Sequence, residues 1–319
     1  EKRRPQDDKF KLKVEGRDID FRVSTLPVVH GEKVVMRILD SSNLALSLDS
    51  LGFEEKALND FRQAISSPYG MILVTGPTGS GKSTTLYSAI KEVITPEDNI
   101  VTVEDPVEYQ LAEINQVPVN VKRGLTFAAA LRSILRQDPD TVMIGEIRDT
   151  ETVEIAIKAA LTGHLVLSTL HTNDAPSTIS RLMDMGVDPF MVASSAILVS
   201  AQRLSRGLCN ACKKKVNIPA ERLQNAQFSE EEIKTAELYG PVGCDRCENK
   251  GYKGRFALLE TLPVTEAVKR LIVEGASAVD IKEKAVEEGM ITLRRCAILN
   301  ALRGKTSLEM VLGGTMADK

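Results

Sequence analysis

The sequence predicts an α/β fold, a parallel sheet with helices on both faces, and three observations predict it. Short apolar strands alternate with helical stretches from Leu51 to Thr169. The run Gly76-Pro77-Thr78-Gly79-Ser80-Gly81-Lys82-Ser83 fits G-x-x-x-x-G-K-[ST] and lies between an apolar strand, Met71-Ile72-Leu73-Val74, and a helix. A further apolar strand, Thr141-Val142-Met143-Ile144, ends on Gly145-Glu146.

Bulk properties bound the rest. The 319 residues suffice for about two domains, and an apolar fraction of 43% can bury a core. A net charge of −3 and the lack of tryptophan as a stacking base argue against a nucleic-acid binder, including a zinc-ribbon helicase. No apolar run approaches the roughly 20 residues of a membrane span. Glu1-Lys2-Arg3-Arg4 is charged and lacks the apolar region of a signal peptide. A cytoplasmic protein that reaches any membrane through partners is expected. Glu1 is not a methionine, so a missing N-terminal portion is also expected.

The elements follow in order. Phe10–Val14, Ile19–Val23 and Lys33–Leu39 read as strands of a small antiparallel sheet, with turns at Glu15-Gly16 and His30-Gly31. Asp40 to Asp49 reads as a linker. Helix Glu54–Ile65, strand Met71–Thr75, a helix from Gly81, strand Asn99–Val103, helix Thr126–Arg136, strand Thr141–Ile144, helix Thr150–Thr162 and strand His164–Thr169 follow. After Gln202 the chain turns polar and cysteine-bearing. Beyond Pro263 it reads as helical, with turns at Gly275, Gly289 and Gly304. The expected domains are 1–39, linker 40–49, a RecA-like P-loop core 50–205, a zinc-binding part 206–257 and a helical C-terminal part 258–319.

The glycines of the phosphate loop let backbone N–H groups approach phosphate oxygens, and the helix start at Gly81 to Thr84 adds partial positive charge. Lys82 is expected on the β- and γ-phosphates of ATP or on ADP, and Ser83 on Mg²⁺. The alternative is a glycine-rich turn that binds nothing, which the agreement of motif and flanks argues against. Glu146 ends a strand where an acid faces metal and γ-phosphate, and its length suits it to hold the attacking water. Glu104 opens a second acidic exit, Glu104-Asp105-Pro106-Val107-Glu108, which either supports water and Mg²⁺ from behind the metal's own ligands or is a solvated Asp-Pro turn.

His164 and His171 bracket a strand of roughly 23 Å, so they cannot reach the same atom. His171, at the C-terminal end, is the candidate γ-phosphate sensor; His164 is either a second nucleotide contact or structural. Arg22 and Arg37 fall in the N-terminal sheet; Arg132 and Arg136 lie four apart, which places them on one helix face. From the residues alone these arginines read as solvated. Cys209-x-x-Cys212 and Cys244-x-x-Cys247 give four thiolates for tetrahedral Zn²⁺, a closed structural site, with Lys213, Lys214 and Lys215 offsetting its charge. Free thiols or a redox pair are weaker alternatives.

The stretch Leu135-Arg136-Gln137-Asp138-Pro139-Asp140-Thr141-Val142-Met143-Ile144-Gly145-Glu146-Ile147-Arg148-Asp149 resembles the signature of the type II secretion and type IV pilus motor ATPases. Glu104 to Glu108 resembles that family's aspartate box, and Gly163-His164 to His171-Thr172-Asn173 its histidine box. Arg22 to Pro27 with Gly31 to Arg37 resembles the end of its PAS-like, α+β N-terminal domain. Pro5 to Lys9 departs from the family, which often reads Asp-Gly-Arg there.

The resemblance implies a homo-hexamer with ATP at subunit or domain junctions, on the inner face of the bacterial inner membrane beside a membrane platform protein. It implies nucleotide-site roles for Arg22, Arg37, Arg132 and Arg136, and a water-activating role for Glu146. Within the family the zinc insert resembles that of pilus-extension and type II secretion motors, and retraction motors lack it; segments such as Gln63 to Thr75 and Thr172 to Ile179 resemble the pilus-extension subgroup. A type II secretion motor, or a nucleotide-gated ring scaffold with little hydrolysis, are the other readings.

Overall fold

The computed structural model describes residues 1–14, 17–40 and 47–318. The expected turn at Glu15-Gly16 and residues 41–46 of the expected linker lie outside the described residues. The chain divides into two units, Glu1–Leu46 with Glu108–Leu111, and Ser47–Val107 with Ala112–Lys319.

In the first unit β1 (Gln6–Val14), β2 (Arg17–Val28) and β3 (Gly31–Asp40) form an antiparallel sheet in chain order. Register pairs Lys9 with Arg22 and Arg22 with Arg37, so three cations share one cross-strand row. Phe10, Phe21 and Ile38 form the next row on the opposite face, with the two rings stacked at 5.1 Å.

The second unit opens with α1 (Glu55–Ile65), which buries Ala57, Phe61 and Ala64 on one stripe. There follow β4 (Gly70–Thr75), α2 (Lys82–Val93), β5 (Ile100–Glu104), β6 (Asn115–Pro118), α3 (Phe127–Ile134), β7 (Thr141–Ile144), α4 (Thr150–Leu161) and β8 (Leu165–Leu170). Next come α5 (Ala175–Asp184), α6 (Pro189–Ser195) and β9 (Ala196–Leu208). Side chains of Thr126, Asp149 and Asp174 cap α3, α4 and α5, which fixes where each helix starts. An excursion holds β10 (Lys214–Val216), α7 (Ala220–Asn225), α8 (Glu230–Thr235) and β11 (Leu238–Gly240). β12 (Tyr252–Pro263) returns to the core, and α9 (Glu266–Val273), α10 (Ala278–Glu287), α11 (Leu293–Leu302) and α12 (Leu308–Gly314) complete it.

Among the described residues the main sheet has seven strands in the order β12-β9-β4-β8-β7-β5-β6, parallel except for β12 against β9. β4 and β8 are buried along their whole length, as strands covered on both faces must be.

Two expectations change here. The chain does not leave the sheet at Gln202: β9 runs on to Leu208 and pairs antiparallel with β12, from Tyr252↔Leu208 to Pro263↔Leu198. Both strands cross the expected boundaries at 205/206 and 257/258, so the cysteine-bearing segment is inserted between two strands of the core sheet. Arg203 and Arg206 give β9 a polar second half that reads as a loop until its partner strand is known. The helix before β7 ends at Ile134, not at Arg136, because Asp138 takes a positive φ of 51° ahead of Pro139 and the chain must turn. Arg136 therefore lies two residues past the end of the helix that carries Arg132.

Candidate functional site

The phosphate loop joins β4 to α2 at the C-terminal edge of the sheet, where open α/β sheets bind ligands. Gly76, Gly79 and Gly81 take φ of 142°, 80° and 89°, a region that L side chains rarely adopt. A Cβ at Gly76 would lie 2.3 Å from the Gln202 carbonyl oxygen, and one at Gly81 2.9 Å from its side-chain nitrogen. Gln202 of β9 holds the loop from beneath: its Nε2 donates to Ser80 O at 2.8 Å, and its Oε1 accepts from Thr85 Oγ1 at 2.7 Å. Lys82 is buried and donates to the Gly76 and Pro77 carbonyls at 2.8 and 3.2 Å. Burial lowers its pKa, opposed by the charge of Glu146 and assisted by that of Arg203.

Glu146 follows β7 by two residues, with a side chain 18% exposed. His171 Nε2 lies 3.2 Å from its Oε2, and Arg148 donates to its Oε1. Burial pushes the Glu146 carboxyl up, but the Arg148 and His171 contacts outweigh that and hold it below the usual carboxylate range. Arg148 also lies 3.9 Å from Asp105. Gly145 gives a close approach next to this acid: a Cβ there would lie 3.3 Å from Glu104 Cα.

Glu104 is 3% exposed and accepts from Tyr87 Oη of α2, Thr102 Oγ1 at 2.6 Å and Gln116 Nε2 at 3.1 Å. It ties the phosphate-loop helix to β5. The acidic run divides: Glu104 and Asp105 belong to the core unit, whereas Glu108 belongs to the first unit and pairs with Arg22 at 3.1 Å. Arg37 lies opposite Arg22 in the strand register.

The structure thus brings Lys82, Glu146 and His171 together. His164 sits at the other end of β8, its Nδ1 3.0 Å from Ala159 O. Arg132 pairs with Glu151, and Arg136 donates to Ser133 Oγ at 3.1 Å. Gln202, Arg203 and Arg148 are neighbours of the site to which the sequence assigned nothing. Arg203 Nη2 donates to Asn173 Oδ1 at 2.8 Å in the loop after His171. Only Arg148 carried a signal, as part of the stretch around Glu146.

A phosphate group fits the loop. The N-terminus of α2 has no side-chain cap, whereas α3, α4 and α5 do, and the buried Ser80 Oγ has no hydrogen-bond partner. Ser83 is exposed on the first turn of α2.

The four cysteines form a second centre. Their sulfurs all lie within 4.8 Å of one another, with Cys209–Cys244 at 3.9 Å and Cys212–Cys247 and Cys244–Cys247 at 3.8 Å. Sulfurs about 2.3 Å from a tetrahedral zinc would be about 3.8 Å apart, so the quartet fits that ion. Backbone N–H groups of Gly243, Cys244 and Gly251 point at the sulfurs at 3.2–3.3 Å. Of the lysines expected to offset this charge, Lys213 donates to Gly304 O at 2.7 Å and Lys215 pairs with Glu237.

The model of the family described as Type II/IV secretion system protein matches residues 1–313. The chain is 53% identical to the type IV pilus assembly ATPase PilB of Myxococcus xanthus, over 100% of this chain and 57% of that protein. It is 52% identical to PilB of Pseudomonas aeruginosa, over 98% of this chain and 55% of that protein. Against type II secretion system protein E of Aeromonas hydrophila it is 47% identical over 100% of this chain and 63% of that protein. The chain spans about half the length of the PilB relatives named here. Among solved structures, the pilus retraction motor PilT with bound ADP superposes with a TM-score of 0.70 at 28% identity, covering 98% of this chain and 77% of that one.

Proposed function

The chain belongs to the Type II/IV secretion system protein family, and from that premise we propose that it is an ATP hydrolase motor, acting as a homo-hexamer, that drives type IV pilus assembly. One observation carries the reading: an ionised Glu146, held by Arg148 and His171, faces a lysine-bearing phosphate loop whose helix N-terminus is left open. The relatives named as pilus assembly ATPases, at 53% and 52% identity, support pilus assembly. The relative named for type II secretion, at 47%, supports secretion as the second reading.

In this reading Gly76 to Thr84 hold the phosphates of ATP, Lys82 moves from the loop carbonyls to the β- and γ-phosphates, and Ser83 holds Mg²⁺. Mg²⁺ held there would supply positive charge against the charge that develops on transfer. Glu146 accepts the proton of the attacking water, and His171 orients Glu146 and reports the γ-phosphate. Glu104 supports the site from behind by fixing α2 against β5. Arg22 and Arg37 are supplied from one subunit to the nucleotide of another, with Arg132 and Arg136 as weaker candidates and His164 as a structural histidine. Cys209, Cys212, Cys244 and Cys247 hold Zn²⁺ in a structural role. Among the described residues no helix is long and apolar enough to cross a membrane. In this reading the motor works at the cytoplasmic face of the inner membrane, through a platform protein there.

The test is steady-state release of phosphate from Mg·ATP by wild type and Glu146→Gln. Loss of turnover with retained nucleotide binding supports a motor. Equal, negligible turnover in both, with ATP bound, leaves a nucleotide-gated scaffold.

A further inference from the structure

The loop after β8 presents His171 to Glu146 at one end. Its other end leads to a buried carboxylate that the proposed reaction does not use. Glu260, on β12, is 2% exposed, and both its oxygens are engaged. One accepts from Ala175 N at 2.8 Å and the other from Leu293 N at 3.0 Å. Ala175 and Leu293 are the first residues of α5 and α11, so one carboxylate serves the N-termini of two helices, where N–H groups and dipoles favour negative charge.

The upstream end is also bonded. Thr172 N donates to Thr75 Oγ1 at 2.7 Å, and Thr75 immediately precedes Gly76. Thr172 Oγ1 meets Thr178 Oγ1 of α5 at 2.6 Å, and Thr178 Oγ1 donates to Asp174 O at 3.1 Å. An unbroken path therefore runs from the base of the phosphate loop through Thr75, Thr172 and the start of α5 to Glu260, and from there to α11. The buried face of α11, with Leu293, Cys296, Ala297 and Ile298, makes it a rigid receiver.

We propose that Glu260 is a positioning residue that couples the phosphate loop to helix α11, so that nucleotide bound at Gly76 to Ser83 is felt in the C-terminal helices. The proposal rests on the ATP-binding reading of that loop. A glutamine keeps the size but presents an NH₂ to one of the two N–H groups, so it can satisfy only one helix.

The experiment is hydrogen–deuterium exchange on wild type, Glu260→Gln and Thr172→Val, each with and without a non-hydrolysable Mg·ATP analogue. In wild type the analogue slows exchange at 76–84, at 171–184 and at 293–302. In Glu260→Gln the response at 76–84 stays as in wild type, and the response at 293–302 falls at least tenfold. Thr172→Val cuts the path upstream and lowers the same response, which keeps the test available if Glu260→Gln does not fold. An unchanged response at 293–302 in the variants overturns the coupling while leaving ATP binding intact. If wild type shows no protection even at 76–84, the ATP reading fails and the coupling falls with it.

Discussion

Glu146 is held between a guanidinium and an imidazole on a half-buried strand end, and that arrangement makes two demands on single residues. In the proposed reaction its carboxylate accepts a proton, so Glu146→Gln is expected to lower turnover by about 10²–10⁴-fold with nucleotide affinity retained. Calorimetric titration of the variant with Mg·ATP separates the two. Gly76 must stay bare. Gly76→Ala places a methyl 2.3 Å from the Gln202 carbonyl and is expected to abolish nucleotide binding, measured by the same titration. Glu260 gives a pH effect of definite sign. Burial raises its pKa from an ordinary 4.5 to about 7, so between those values the folded chain holds a proton that the unfolded chain has released. The stability from that proton is full below about pH 4.5 and is lost as pH rises to about 7, in total on the order of 3 kcal/mol. Urea midpoints at pH 5 and pH 8 should therefore differ more for wild type than for Glu260→Gln.

At the scale of elements, what was legible was what is local. The phosphate loop declares itself because its glycines, lysine and flanking strand and helix are contiguous, and the cysteine knuckles because each pair spans four residues. Gln202 was invisible as a loop support because its contacts, Ser80 and Thr85, are more than a hundred residues away. β9 and β12 were hidden for the same reason, since their pairing bridges the whole cysteine insert. The expected helix overruns by two residues at Arg136, where the chain is already turning toward Asp138-Pro139. The insert should behave as a separate element whose order depends on its metal. Cys212→Ser, or strong chelation, is expected to make residues 209–251 protease-sensitive while the β9–β12 pair keeps the core folded. Metal analysis should find about one zinc per chain. Cleavage across the core at the same rate would count against an autonomous insert.

At the scale of the molecule, the chain has a small sheet carrying a cationic row of Lys9, Arg22 and Arg37, and a nucleotide core that ends in a bundle tied to it through Glu260. The proposed delivery of Arg22 and Arg37 to a nucleotide of another subunit would make catalysis depend on assembly. Phosphate release per subunit from Mg·ATP, followed across protein concentration for wild type and Arg22→Ala, tests this most directly. The account predicts turnover that rises steeply with concentration in wild type and collapses at every concentration in Arg22→Ala. Turnover per subunit that stays flat with concentration, and survives the loss of Arg22, would contradict it.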